Sequence, residues 1–232
     1  MKKRSKNWKK YTLEFLSIFV AVISAFALNN WNDNRNNRNA ESKILSEIRN
    51  GLDKDLEDIH MNQYGHEEGV KASAYFHDLI AGNPVPKDSF LIHYFNLTRD
   101  FISIQNTSGY ETLQSKGLEL VEDDKLRSQI ISLFEYDYNI LRKMEEEYFE
   151  LQFQQNYFQS INDMLAPYIL LDDQKRIVGI QTPIELTAAE ERQFLIYLWK
   201  MQANRNFVLG YYSQVEQKVL DLRVAIEEEL QN

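Results

Sequence analysis

The sequence predicts an all-α protein, with a single N-terminal transmembrane helix followed by an elongated antiparallel helical bundle. Three observations predict it. An apolar run from Tyr11 to Leu28 carries Glu14 as its only charged residue. Farther along, apolar side chains recur at three- and four-residue steps over stretches too long for strands. Proline and glycine, which punctuate turn-rich sheet proteins, number only 4 and 8 in 232 residues.

Taken from the N-terminus, residues 1–10 form a basic tail. Lys2, Lys3, Arg4, Lys6, Lys9 and Lys10 contribute six positive charges and no acid, so a chain of net charge −9 leaves −15 for the rest. A body that acidic offers no cationic surface for a nucleic acid. The basic cluster instead suits the anionic cytoplasmic face of a bilayer. Residues 11–31 follow as the spanning segment, about 30 Å of helix, which matches the hydrocarbon thickness. Tyr11 and Trp31 stand at its ends as interfacial anchors. Lys and Arg are denser before the segment than after it, which places the N-terminus in the cytoplasm and the C-terminal bulk outside. Ala25-Phe26-Ala27 also fits a signal-peptidase site, but Glu14 and the length of the apolar run favour retention.

Within the span, Ser17, Ala21 and Ala25 fall at four-residue spacing, and Asn29 extends the line. Small residues let helices approach closely, and Ser and Asn can hydrogen-bond across the contact, so with Glu14 this face is the candidate surface for self-association. Glu14 lies about one turn inside the basic flank, where Lys10 can pair with it. Its functional alternative is an acid at the mouth of an oligomer.

Residues 32–39 belong to an asparagine-rich collar that reads either as a flexible neck or as a polar continuation of the helix. The extramembrane domain spans 40–232. Ile44, Leu45, Ile48, Leu52, Leu56 and Ile59 predict a helix from Ala40 to Leu79, with Gly51, Gly65 and Gly69 as weak points or close-packing sites and Gly82 to Pro86 as the stop. Ser89 can cap a short helix through Phe95, and Thr107 or Ser108 another that ends at Gly117. A long helix is expected from near Glu122 to Leu165, then a turn or hairpin around Asp172-Asp173. Thr187-Ala188-Ala189-Glu190 is a capping box opening the last helix, with Leu186 as its staple. Val208, Tyr212, Val215, Val219, Leu222 and Ile226 then form a heptad-spaced stripe, facing either the bundle or a coiled coil with another chain.

Cysteine is absent, which excludes disulfides and thiolate chemistry. The four histidines lack zinc-hydrolase spacing and read as surface or bundle-neck residues. Glu145-Glu146-Glu147 reads as solvated helix surface. No phosphate loop, nucleophile elbow or nucleotide fingerprint occurs, so the sequence points to no catalytic residue, metal or cofactor.

Glu14, the apolar run and Leu28-Asn29-Asn30-Trp31-Asn32 resemble the opening of a family of uncharacterised small single-pass membrane proteins common in Bacteroidetes. Tyr110, Leu113 and Gly117 resemble that family's second motif, aromatic-x-x-Leu-x-x-x-Gly. The resemblance implies an inner-membrane anchor with a periplasmic helical domain and brings no activity. The functional expectation is a membrane-anchored, self-associating scaffold or interaction subunit, whose partners are the lipid bilayer, further copies of itself, or a separate membrane or periplasmic protein. The alternatives are an ion-conducting or force-coupling oligomer and a periplasmic ligand-binding sensor.

Overall fold

A computed structural model describes residues 5–231. Its axis is α1 (Ser5–Ile80), one helix of 76 residues. The asparagine collar is helical without interruption, so it continues the helix and is not a flexible neck. Nothing in it breaks a helix, and Asn29 donates to Asp33 one turn on, at 2.9 Å. The helix stops where Gly82 takes a φ of 74°, which frees the chain to turn before Pro84 and Pro86.

The last helix, α7 (Ala188–Glu229), runs antiparallel to α1. Arg223 meets Asp53 at 3.0 Å, Glu216 meets His60 at 2.8 Å, and the Phe194 ring lies 6.2 Å from that of Phe76. Its buried seam is Phe194, Leu198, Met201, Arg205, Val208, Tyr212, Val215, Val219, Leu222 and Ile226, a strict alternation of three- and four-residue steps. The six residues from Val208 to Ile226 are thus enclosed by their own chain, against α1 and the shorter helices, and are not left free for a coiled coil with another. Fully burying each such aliphatic side chain is worth roughly 1.5–3 kcal/mol, which makes this seam the main stabiliser of the pair.

The capping box that opens α7 is present. The Thr187 hydroxyl accepts from the Glu190 amide, and the Glu190 carboxylate accepts from the Thr187 amide. Replacing Thr187 with alanine should lower stability by about 1 kcal/mol, read as a lower denaturant midpoint with unchanged slope.

The shorter elements pack against this pair. The first two are α2 (Phe90–Leu97) and α3 (Ser108–Lys116), with α3 stopped by Gly117 at φ 105°. Neither Ser89 nor Thr107 caps with its side chain. Gly109 brings α3 onto α1 so closely that a Cβ there would lie 2.8 Å from the Ile48 amide nitrogen.

The helix expected from Glu122 to Leu165 is broken. In its place are α4 (Asp124–Ile131), a π-helical turn at Ser132–Asp137, α5 (Tyr138–Glu146) and α6 (Phe153–Leu165). Side chains substitute for the lost helical bonds at the break. Asp100 accepts from the Phe153 amide at 2.7 Å, while Gln152 and Asn156 donate to the carbonyls of Glu145 and Phe149. An antiparallel hairpin, β1 (Ile169–Leu171) with β2 (Ile177–Ile180), turns around Asp172 as the sequence suggested.

Candidate functional site

Two regions concentrate the features that bear on function. The first is the free N-terminal part of α1. Every residue from Lys10 to Asn39 is exposed, and the apolar stretch within it is long and apolar enough to cross a membrane. Glu14, Ser17, Ala21, Ala25 and Asn29 all lie here, and Tyr11 and Trp31 stand exposed at the ends. Glu14 faces Lys10 at 3.9 Å, the i, i+4 pair the spacing predicts. Ser17 donates to the Glu14 carbonyl at 2.8 Å, the local bond by which a serine satisfies itself inside a helix. The Arg35 guanidinium sits 5.8 Å from the centre of the Trp31 ring. Lys2, Lys3 and Arg4 lie outside the described residues, as do the side chains of Lys6 and Lys9.

The second region is a buried polar layer between α1 and α7, which sequence reasoning missed. Arg205 occupies a seam position of α7 and is fully buried. Its guanidinium caps the C-terminal end of α2, donating to the carbonyls of Asn96, Leu97 and Arg99 at 3.3, 3.0 and 2.9 Å. There the helix dipole is negative. It also lies 4.2 Å over the Phe153 ring. Burial pulls its pKa down to about 10 while the charge of Asp100 opposes the fall, so it stays protonated at neutral pH.

His66 approaches Arg205 through Nδ1 at 3.2 Å, which makes Nδ1 the acceptor and places the proton on Nε2. Nε2 is 4.0 Å from Glu145 Oε1, without a hydrogen bond. Burial lowers the His66 pKa, Arg205 adds to the fall, and Glu145 opposes it. Glu145 is not the solvated surface acid its sequence context suggests. It is buried and accepts from the Ser103 amide and hydroxyl, both at 2.7 Å, and from the Tyr212 hydroxyl. Burial and Glu145 together drive the Tyr212 pKa far upward.

Arg205 and Glu145 each occupy a position where their helix shows an apolar stripe. Arg205 follows Leu198 and Met201, and Glu145 follows Tyr138 and Leu141. The signal that would have found them was a polar residue on an otherwise apolar three-four pattern, and the stripe as read from sequence passed from Leu198 to Val208 over it. Gly65 and Gly69, for which the sequence left weak points or close-packing sites open, are close-packing sites. A Cβ on Gly69 would lie 2.3 Å from Arg205 Nε, and one on Gly65 would lie 2.2 Å from the Phe101 ring.

Residues 98–107 cover the layer, with Thr98 and Ser103 buried against it, while His66 Nε2 and Arg205 Nε stay without a hydrogen-bond partner. Within the layer the Arg205–His66 contact ties α7 to α1, and the carbonyls of Asn96, Leu97 and Arg99 tie α7 to the end of α2. Among the described residues no group of three or more His, Asp or Glu side chains is arranged to hold a metal ion. The exposed face of α7 carries a shallow groove lined by Arg192, Leu195, Ile196 and Trp199. Together these features define a class: an apolar N-terminal helix continuous with a helical-bundle domain. No protein-family model, curated protein or solved structure matches the chain.

Proposed function

We propose that the chain is a membrane-anchored, self-associating scaffold or interaction subunit that performs no catalysis. In this reading residues 11–31 span a bacterial inner membrane, the basic tail lies in the cytoplasm, and α1 carries the domain into the periplasm. The family resemblance in the Asn-Asn-Trp-Asn exit supports the same placement. Self-association uses the face of Glu14, Ser17, Ala21, Ala25 and Asn29.

The observation that carries the reading is the continuity of α1 from the apolar stretch into the domain core. A continuous helix fixes the angle between its faces. At about 100° per residue, Ala21 and Ala25 point roughly opposite to Ile48 and Leu52, which hold the domain. Two copies meeting through the small-residue face would therefore carry their domains outward, clear of each other. The same continuity favours a second reading, force coupling, because a displacement of the anchor passes directly to Asp55, Asp58 and His66 within the domain.

The mass of the full chain in mild detergent, set beside that of a chain beginning at Ala40, tests the proposal. A defined oligomer that becomes a monomer on truncation is expected. Monomers in both forms would remove self-association and redirect the search to a separate partner.

A further inference from the structure

Residues 99–106 cross the surface of the bundle as an irregular strap, and among the described residues they make no backbone-to-backbone hydrogen bond. Side chains from the surrounding helices hold the strap down instead. Glu145 of α5 takes the Ser103 amide, Asp58 of α1 takes the Ile104 amide at 3.0 Å, and Asp55 of α1 takes the Asn106 amide at 2.7 Å. From α7, Arg205 grips the Arg99 carbonyl, and the strap's own Asp100 caps α6. Seating the strap therefore encloses carboxylates that would otherwise be hydrated.

We infer that the strap is a proton-linked latch: residues 99–106 close over the carboxyl of Asp55 on α1, so that mild acid holds the strap down and neutral pH loosens it.

The geometry makes protonation compatible with closure. Asp55 Oδ1 accepts from Asn106 and Oδ2 faces the Tyr138 hydroxyl at 2.7 Å. A neutral acid keeps both contacts, with its carbonyl oxygen accepting and its hydroxyl shared with Tyr138, and it escapes the penalty of a buried charge. The surrounding charges push the same way. Asp58, on the same helix, disfavours a second charge at Asp55, and Glu145 of α5 bears in turn on Asp58. Asp137, at the end of the π turn, is already paired with Lys218 of α7 at 2.6 Å. From α3, Tyr110 gives its hydroxyl to Glu135. The buried cation from α7, Arg205, is spent on carbonyls.

Burial pushes the Asp55 pKa up to about 6 against the pull of Tyr138 and Asn106, with Asp58 adding to the rise; Asp58 and Asp100 are raised as well, chiefly by burial. A carboxyl raised in the closed state stabilises it fully below the ordinary Asp value, and that stabilisation is lost as pH rises through about 6. His66 acts in the opposite sense, because its lowered pKa makes acid favour release, and Glu145 beside it tempers that effect.

Amide hydrogen exchange on the full chain in micelles, read for Ser103, Ile104 and Asn106 as protection relative to Leu52 and Ile59 of α1, tests the latch. Relative protection should rise about tenfold between roughly pH 7 and pH 5, one pKa unit's worth of linkage. Asp55→Asn should flatten the profile at or above the acid level, and His66→Gln should steepen it. A wild-type profile that is flat or falls toward acid overturns the inference. So does an Asp55→Asn profile that keeps the wild-type slope, or a His66→Gln profile that loses it.

Discussion

Arg205→Ala should lower the unfolding free energy by about 3–5 kcal/mol, the range for breaking a buried, hydrogen-bonded charge site. The truncation leaves the carbonyls of Asn96, Leu97 and Arg99 without their shared donor. The orphaned Leu97 carbonyl, which is buried, costs roughly 1–3 kcal/mol, and those of Asn96 and Arg99, only part-buried, cost less because water reaches them. The Phe153 face loses its cation, and a cavity opens at a fully buried position. Arg205→Lys should recover only part of the loss, because an ammonium cannot reproduce the planar fork that reaches three carbonyls and His66 together. Denaturant titration measures both variants. A loss below about 1 kcal/mol for the alanine variant would mean that the polar layer does not hold α2 to the helix pair.

Gly69→Ala and Gly210→Ala should change stability in opposite directions, although both replace a glycine in the middle of a long helix. By helix propensity alone, each should gain roughly 0.5–1 kcal/mol. At Gly210 no atom stands within 4 Å of the added methyl, so that gain should appear. At Gly69 the methyl would sit 2.3 Å from Nε of an arginine with no exposed surface into which to retreat. Overpacking of this kind costs roughly 1–3 kcal/mol, enough to reverse the sign. Thermal melts of the two variants give the comparison, and a stabilised Gly69→Ala protein would contradict the close packing of α1 on Arg205.

The contrast between these two glycines shows where sequence reasoning reaches and where it stops. Local rules were enough for the capping box at Thr187, the stop after Ile80, the cap at Gly117 and the hairpin around Asp172, because each depends on residues within a few positions of one another. The seam from Val208 to Ile226 was legible as a stripe but not as to its partner, since periodicity says that a face is covered without saying by what. The break between α5 and α6 was invisible because its cap, Asp100, lies far away in sequence. Glu145 was read as solvent-facing from its neighbours Glu146 and Glu147, yet its donors come from the strap and from α7. His66 and Arg205 were missed for the same reason. Long-range polar satisfaction leaves little trace beyond a charged residue in an apolar column. The apolar N-terminal stretch of α1, by contrast, was legible from composition and length alone, because it packs against nothing in the chain.

The small-residue face of that stretch carries the central claim, and a single-cysteine scan from residue 17 to residue 39 in native membranes tests it most directly, since the chain has no cysteine of its own. Disulfide cross-linking between copies should peak at 17, 21, 25 and 29, follow helical periodicity through the asparagine collar, and stay low on the side that continues into Ile48 and Leu52. Uniform cross-linking, its absence throughout, or a periodicity centred on the domain-bearing side would contradict self-association through the Ser17, Ala21 and Ala25 face.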